Sequence, residues 1–221
     1  MNTLMTPPLS TLVERMFADA AETQEAFRAE RAKLSPAERA ARTGSSEDYK
    51  TLYLTYAKNV HLAVSRETAT LLYMLVRSMK ARHVVEFGTS FGISTLHIAA
   101  ALKDNGGGRV IGSEFEPSKV VRARATMAEA GLADLVDIRE GDALETLSRD
   151  LPETVHVVLL DGAKTLYARV LSLLAPRLRS GAMIVADNAD MCPEYVAIVR
   201  APASGYVSVS IGGEVELTMK S

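Results

Sequence analysis

The chain is predicted to fold as an α/β domain: a mostly parallel sheet with helices on both faces and an antiparallel hairpin at its C-terminal end. Three observations carry this expectation. First, five short apolar runs, His83–Phe87, Arg109–Glu114, Val136–Arg139, Val155–Leu160 and Ala182–Ala186, alternate with helical patterns at Ile93–Leu102, Ser118–Ala130, Ala143–Leu147 and Thr165–Leu178. Short buried-type strands separated by helices imply parallel pairing with right-handed crossovers. Second, the first run leads through Glu86-Phe87-Gly88-Thr89-Ser90-Phe91-Gly92 into a helix. Strand, tight turn and helix N-terminus are how a doubly wound sheet presents a cofactor loop. Third, Tyr206–Ile211, Gly212-Gly213 and Glu214–Met219 read as a β-hairpin.

The preceding residues read as helices. Leu9, Leu12, Val13, Met16 and Phe17 recur at helical spacing, and Thr11-x-x-Glu14 has the form of a capping box. Ser35-Pro36-Ala37-Glu38 repeats that signal, and Thr43-Gly44-Ser45-Ser46 is a break. A further helix from Glu47 would carry Tyr49, Tyr53 and Tyr56 on one side. These rings read first as packing residues, with a substrate pocket or dimer contact as the alternative. Ser65 caps a helix from Arg66 to Met79, and after Pro193 one more helix reaches Val199 or Arg200. The expected division is a helical extension or cap over residues 1–62 and a cofactor-binding domain over 63–221.

At 221 residues, 48% apolar and with a net charge of −2, the chain suits one globular domain with a terminal extension. The near-neutral balance argues against a nucleic-acid binder that tracks phosphates. One cysteine, Cys192, favours a reducing compartment. The sequence shows neither a signal peptide nor a membrane-spanning run, so the cytoplasm is the expected setting.

The loop after the first strand narrows the cofactor. Its Gly88-Thr89-Ser90-Phe91-Gly92 lacks the middle glycine of a dinucleotide fingerprint. Glu86 would repel a pyrophosphate but suits the ammonium of an amino-acid moiety, whose carboxylate could meet Ser90 and nearby amides. Glu114, at the end of the second strand, can accept the hydroxyls of a ribose, and Asp142, after the third, lies where an adenine edge would fall. Together these favour S-adenosylmethionine over NAD. Asp142 in Gly141-Asp142-Ala143 is equally a good helix cap.

The fourth strand ends in Leu160-Asp161-Gly162-Ala163-Lys164 and the fifth in Ala186-Asp187-Asn188. Asp161, Asp187 and Asn188 offer hard oxygen ligands of the kind that hold Mg²⁺ or another divalent cation. Lys164, beside such a metal, could accept a proton from a substrate hydroxyl. The alternative for Lys164 is an ordinary surface lysine.

On Glu86–Gly92, Ser113-Glu114-Phe115-Glu116-Pro117, Leu160-Asp161-Gly162-Ala163-Lys164-x-x-Tyr167 and Ala186-Asp187-Asn188, the chain from about Val64 onward resembles the metal-dependent catechol O-methyltransferase-like family. The resemblance implies a Rossmann-like class I methyltransferase fold, seven-stranded with the last pair antiparallel. It implies a metal held by Asp161, Asp187 and Asn188, with Lys164 as base. It implies S-adenosylmethionine bound by Glu86 and Glu114, with Val64 at the methionine end. The cofactor set expected from loop and resemblance is Val64, Glu86, Gly88, Thr89, Ser90, Ser94, Glu114, Phe115, Asp142, Ala143 and Asp161. Two positions depart from the family: no acid stands near Val207, where the family holds a second acceptor hydroxyl, and Ala163 replaces an aromatic residue that flanks adenine. The expected activity is methyl transfer to a hydroxyl of a small, aromatic molecule by a homodimer. A tRNA methyltransferase and a non-catalytic cofactor-binding subunit are the alternatives.

Overall fold

The computed structural model describes residues 2–43 and 49–221, without the side chains of 40–43 and 49. The expected break at Gly44-Ser45-Ser46, the helix start at Glu47 and the side chain of Tyr49 lie outside the described residues.

Seven strands form one sheet in the order β3-β2-β1-β4-β5-β7-β6. They are β1 (His83–Phe87), β2 (Arg109–Glu114), β3 (Val136–Glu140), β4 (Val155–Leu160), β5 (Leu178–Ala186), β6 (Tyr206–Ile211) and β7 (Val215–Lys220). The pairs among β1 to β5 are parallel, and β5 to β7 and β6 to β7 are antiparallel. This is the expected α/β architecture. The chain reverses at β1: β2 and β3 lie on one side of it, β4 and β5 on the other. Ligands bind at such a switch point, beyond the carboxyl ends of the strands.

The helices are α1 (Leu9–Ala32), α2 (Pro36–Thr43), α3 (Tyr49–Thr51), α4 (Arg66–Ser78), α5 (Ile93–Asp104), α6 (Pro117–Glu129), α7 (Ala143–Thr146), α8 (Tyr167–Leu174) and α9 (Pro193–Arg200). α3 runs on into a π-helical turn, Leu52–Tyr56. Strand residues alternate between two cores, because successive side chains leave a strand on opposite faces. Val84, Val110, Val157 and Leu159 join one core with α4, α5 and α6. Val85, Ile111, Val158 and Leu160 join the other with α8 and α9. Leu9, Leu12, Val13, Met16 and Ala20 of α1 belong to the first core, so the N-terminal helix packs into the domain along its first half.

Local signals hold with three corrections. Ser65 caps α4 by accepting from Thr68 N, and the Ser35–Glu38 box closes in both directions at 2.8 and 3.2 Å. Thr11-x-x-Glu14 does not cap: α1 begins at Leu9, which puts Thr11 inside the helix, and Glu14 pairs with Arg66 instead. α8 stops at Leu174 rather than Leu178, because Pro176 lies in the 3₁₀ turn that follows and has no N–H to continue a helix. β5 therefore starts at Leu178, four residues before the expected Ala182, and an irregularity opposite Val155–Val157 absorbs the extra residues.

Candidate active site

Four loops leave the carboxyl edge of the sheet side by side, each tied to its neighbour by one more ladder-like hydrogen bond. Gly88 N donates to Ser113 O (3.0 Å), Gly141 N to Glu114 O (2.9 Å), Asp161 N to Phe87 O (2.8 Å) and Asp187 N to Leu160 O (2.9 Å). Residues far apart in sequence thus share one rim. The approach is closest where the β1 and β4 loops meet. Gly88 has φ +97°, and a Cβ there would lie 2.5 Å from Asp161 O. Only glycine satisfies both conditions.

On one side of this contact is a cavity lined by Gly88, Ser90, Glu114, Phe115, Ala143 and Asp161 of the expected cofactor set. Both oxygens of Glu114 are fixed by backbone amides, Oε2 by Ser90 N at 2.7 Å and Oε1 by Glu116 N at 2.8 Å. Ser90 takes the left-handed conformation (φ 50°), and its hydroxyl is buried with no hydrogen-bond partner among the described residues. An orphaned hydroxyl beside an oriented carboxylate fits a polyhydroxylated, amino-acid-bearing ligand.

Five expected cofactor residues lie elsewhere. Glu86 is fully buried, and its oxygens accept Thr89 Oγ1 (2.9 Å), Ser94 Oγ (2.7 Å) and Thr95 Oγ1 (2.5 Å). Glu86, Thr89 and Ser94 therefore brace the loop from beneath, and the carboxylate has no open face for an ammonium. Gly112, beside Glu86 across the ladder, makes room for this network: a Cβ there would collide with Thr89 Oγ1. Burial pushes the Glu86 carboxyl up to about 7, against the three hydroxyls. Asp142 caps α7 by accepting from Leu144 N at 2.9 Å, with Lys50 at 3.6 Å from its other oxygen, while its neighbours Gly141 and Ala143 line the cavity. Val64 is buried in the wall of a second, separate cleft.

That second cleft, of about 900 Å³, opens beside Asp187 and Asn188. Gln24 of α1, Arg66 of α4 and Glu214 of the hairpin also line it. Its size is that of a small-molecule site. Asn188 is left-handed (φ 50°, ψ 42°), which turns the chain sharply after β5. Ala189 N donates to Glu214 O at 2.7 Å and holds the hairpin against this turn.

Lys164 stands at the junction. Its Nζ donates to Asp161 Oδ1 (2.9 Å), to Tyr167 Oη (2.8 Å) and to the Asp187 carbonyl (3.3 Å). Tyr167 Oη in turn donates to the same carbonyl at 2.8 Å. Lys164 is thus a fixed, mostly buried group between the β4 and β5 loops, and not a surface lysine. Burial raises the Asp161 carboxyl, against the pull of Lys164. Burial and then the Asp161 charge push Asp187 up to about 7. Two carboxylates that resist ionising together are the donor set a divalent cation would relieve. No group of three His, Cys, Asp or Glu that could hold a metal occurs among the described residues; the loops after β4 and β5 offer two carboxylates and the amide of Asn188.

Tyr53, Leu62 and Lys119 line the first cavity and were not expected there from sequence. Tyr53 carried a signal as one of three spaced tyrosines. Lys119, 1% exposed, gave none, because a lysine in an amphipathic helix reads as solvated.

Comparison with known proteins agrees with this geometry. Residues 85–189 match the family model described as a methyltransferase domain. The chain is 33% identical over 127 residues to a catechol O-methyltransferase of Mycobacterium tuberculosis, a match covering 58% of this chain and 57% of that one. It is 34% identical over 146 residues to catechol O-methyltransferase B of Danio rerio, covering 62% and 54%. The chain thus spans little more than half the length of these curated relatives. Among solved structures, an O-methyltransferase from Bacillus cereus in complex with SAH superposes with a TM-score of 0.66 at 21% identity, covering 92% of this chain and 98% of that one. No helix among the described residues is long and apolar enough to cross a membrane. Over residues 85–189 the chain is similar to a methyltransferase domain, and its fold is that of the class I O-methyltransferases.

Proposed function

We propose that this protein is an S-adenosylmethionine-dependent O-methyltransferase that transfers a methyl group to a hydroxyl of a small aromatic molecule with the help of a divalent cation. The observation that carries the reading is the junction at Asp161 and Lys164. There a cavity suited to the donor and a cleft suited to the acceptor come within one loop of each other. Gly88, Ser90, Glu114, Phe115 and Ala143 hold the donor, with Glu86, Thr89 and Ser94 stiffening the loop beneath it. The donor supplies an activated methyl group. Asp161, Asp187 and Asn188 hold Mg²⁺ or a similar cation, which would lower the pKa of the acceptor hydroxyl. Lys164 takes the hydroxyl proton at its Nζ as an amine that has given up one of its three hydrogen bonds, so that the nitrogen lone pair faces the acceptor. The fixed rim aligns the reactants, an arrangement worth up to about 7–11 kcal/mol of barrier. Residues 1–62 form the cap, and 63–221 the methyltransferase domain.

The edge strand supports a homodimer. Val207, Val209 and Ile211 of β6 alternate on one face with 61%, 57% and 41% exposure, next to Met219 of β7. An uncovered apolar strand face of this kind marks an interaction surface. Light scattering of Val209→Asp against the native chain tests this: a native monomer would refute it. The single cysteine keeps the cytoplasm as the expected setting.

Calorimetry with S-adenosylhomocysteine, followed by methyl transfer to a catechol panel with and without chelator, tests the reading of function. Binding with activity lost in Lys164→Met and in chelator is expected. Absence of cofactor binding sinks the reading, and full activity of Asp161→Ala in chelator sinks its metal-assisted form.

A further inference from the structure

We infer that Tyr53 is a cofactor-binding residue, which brings from the N-terminal segment an aromatic wall for the adenosyl group of the methyl donor. The inference rests on reading the cavity beside Glu114 as the donor site. Tyr53 lines that cavity, although it lies outside the matched methyltransferase domain, in the π-helical turn Leu52–Tyr56.

Its place is held from both sides. Lys50, three residues before it, has Nζ 3.6 Å from Asp142 Oδ2 and 5.2 Å from the centre of the Phe115 ring. Lys58, five residues after it, has Nζ 3.5 Å from Glu116 Oε1. Asp142 follows β3, and Glu116 follows β2. The segment is thus tied to the loops after two different strands, and the tyrosine between the ties lies over the cavity they border. Each tie pairs an exposed ammonium with a more buried carboxylate, so it contributes position more than stability.

The wall after β4 gives a purine little flat contact. After β4 the cavity is bounded by Gly162 and Ala163, which present almost no side-chain surface. Gly162 cannot be larger, since a Cβ there would collide with the Phe87 ring. A purine gains much of its affinity from flat apolar contact with a ring. Among the described residues, the rings lining the cavity are Tyr53, Phe87 and Phe115. Phe87 is packed edge-on against Tyr167, with 6.2 Å between centres, and Phe115 lies under Lys50. Tyr53 is one of the partly buried residues packed against the core cluster that includes Ala163 and Leu166, and it lines the cavity alongside them.

The chain has no tryptophan, so its emission comes from tyrosine. The native chain, Tyr53→Phe and Tyr53→Leu are titrated with S-adenosylhomocysteine by calorimetry and by tyrosine fluorescence. Leucine keeps apolar bulk and lacks the ring, and each variant's melting midpoint is taken first. Phenylalanine is expected to bind within about twofold of native with a reduced fluorescence change. Leucine is expected to bind roughly five- to a hundredfold more weakly, the range of one lost ring–base stack. Native-like affinity of a folded Tyr53→Leu overturns the inference, as does an unreduced fluorescence change in Tyr53→Phe. Either result leaves the donor site standing if the native chain binds. Failure of the native chain to bind overturns the donor-site reading and this inference with it.

Discussion

Glu86→Gln should make the protein more stable in alkaline solution, because it removes a buried charge and keeps the hydrogen bonds around it. The carboxyl is fully buried, and burial raises it to about 7 from 4.5, with the hydroxyls of Thr95, Ser94 and Thr89 opposing and Asp161 adding to the rise. An acid whose folded value is raised holds more protons in the folded than in the unfolded chain. Its contribution to stability therefore falls as pH rises from about 4.5 through about 7. Each unit corresponds to 1.36 kcal/mol, so the full penalty is about 3 kcal/mol, of which about 2 kcal/mol develops between roughly pH 5.5 and 8. Glutamine's carbonyl can accept the two threonine hydroxyls that share Oε2, while the Ser94 hydroxyl rotates to accept from the amide nitrogen. Urea unfolding followed by circular dichroism, at several pH values, measures the difference between the two chains. It should favour glutamine by about 1 kcal/mol near pH 5.5 and by about 2 kcal/mol more near pH 8. A difference that stays flat across this range would refute the account of Glu86 as a buried, proton-sensitive brace.

Two further outcomes are expected from the same geometry. Gly88→Ala should cost about 3 kcal/mol, combining a positive φ with a backbone collision, and lower the melting midpoint by roughly 10 °C; Gly106→Ala, with φ +85° and nothing within 4 Å, should cost about 1 kcal/mol. Equal costs for the two would contradict the close approach of the β1 and β4 loops. His61 is stacked on Phe91 at 3.9 Å, and burial pushes it down to about 4 from 6.5. A lowered histidine takes its proton more readily in the unfolded chain, so stability should fall as pH drops through that window. Relative to His61→Phe, the native chain should lose about 2 kcal/mol between roughly pH 7 and 5, and parallel unfolding curves for the two would exclude this.

Most of the sheet was legible because its signals are local. β1, β2 and β4 begin and end where the apolar runs do, since polar residues or glycine interrupt each run. The start of β5 was not legible, because Pro176 and Gly181 act on register with β4, a property of two strands at once. The site divides in the same way. Asp161, Lys164, Asp187 and Asn188 follow strand ends, and the sheet brings strand ends together whatever lies between them. Glu86 misled because its carboxylate is compatible in sequence with either an ammonium or three hydroxyls. Only the packing of Thr89, Ser94 and Thr95 over it decides between them. Tyr53 was ambiguous because helical spacing shows that a face exists but not what it covers.

The burial of the first half of α1 in the same core as β1 and β4 has a consequence for how such proteins diversify. The helix that carries Gln24 to the second cleft also packs on α5 with Leu9, Leu12, Val13 and Met16 in the shared core. Exchanging this helix for that of a relative, as a way of re-lining the cleft, would require re-cutting the core beneath it. Grafts that keep residues up to Ala20 and exchange only the later turns of the helix should be tolerated more often than grafts that replace the whole helix.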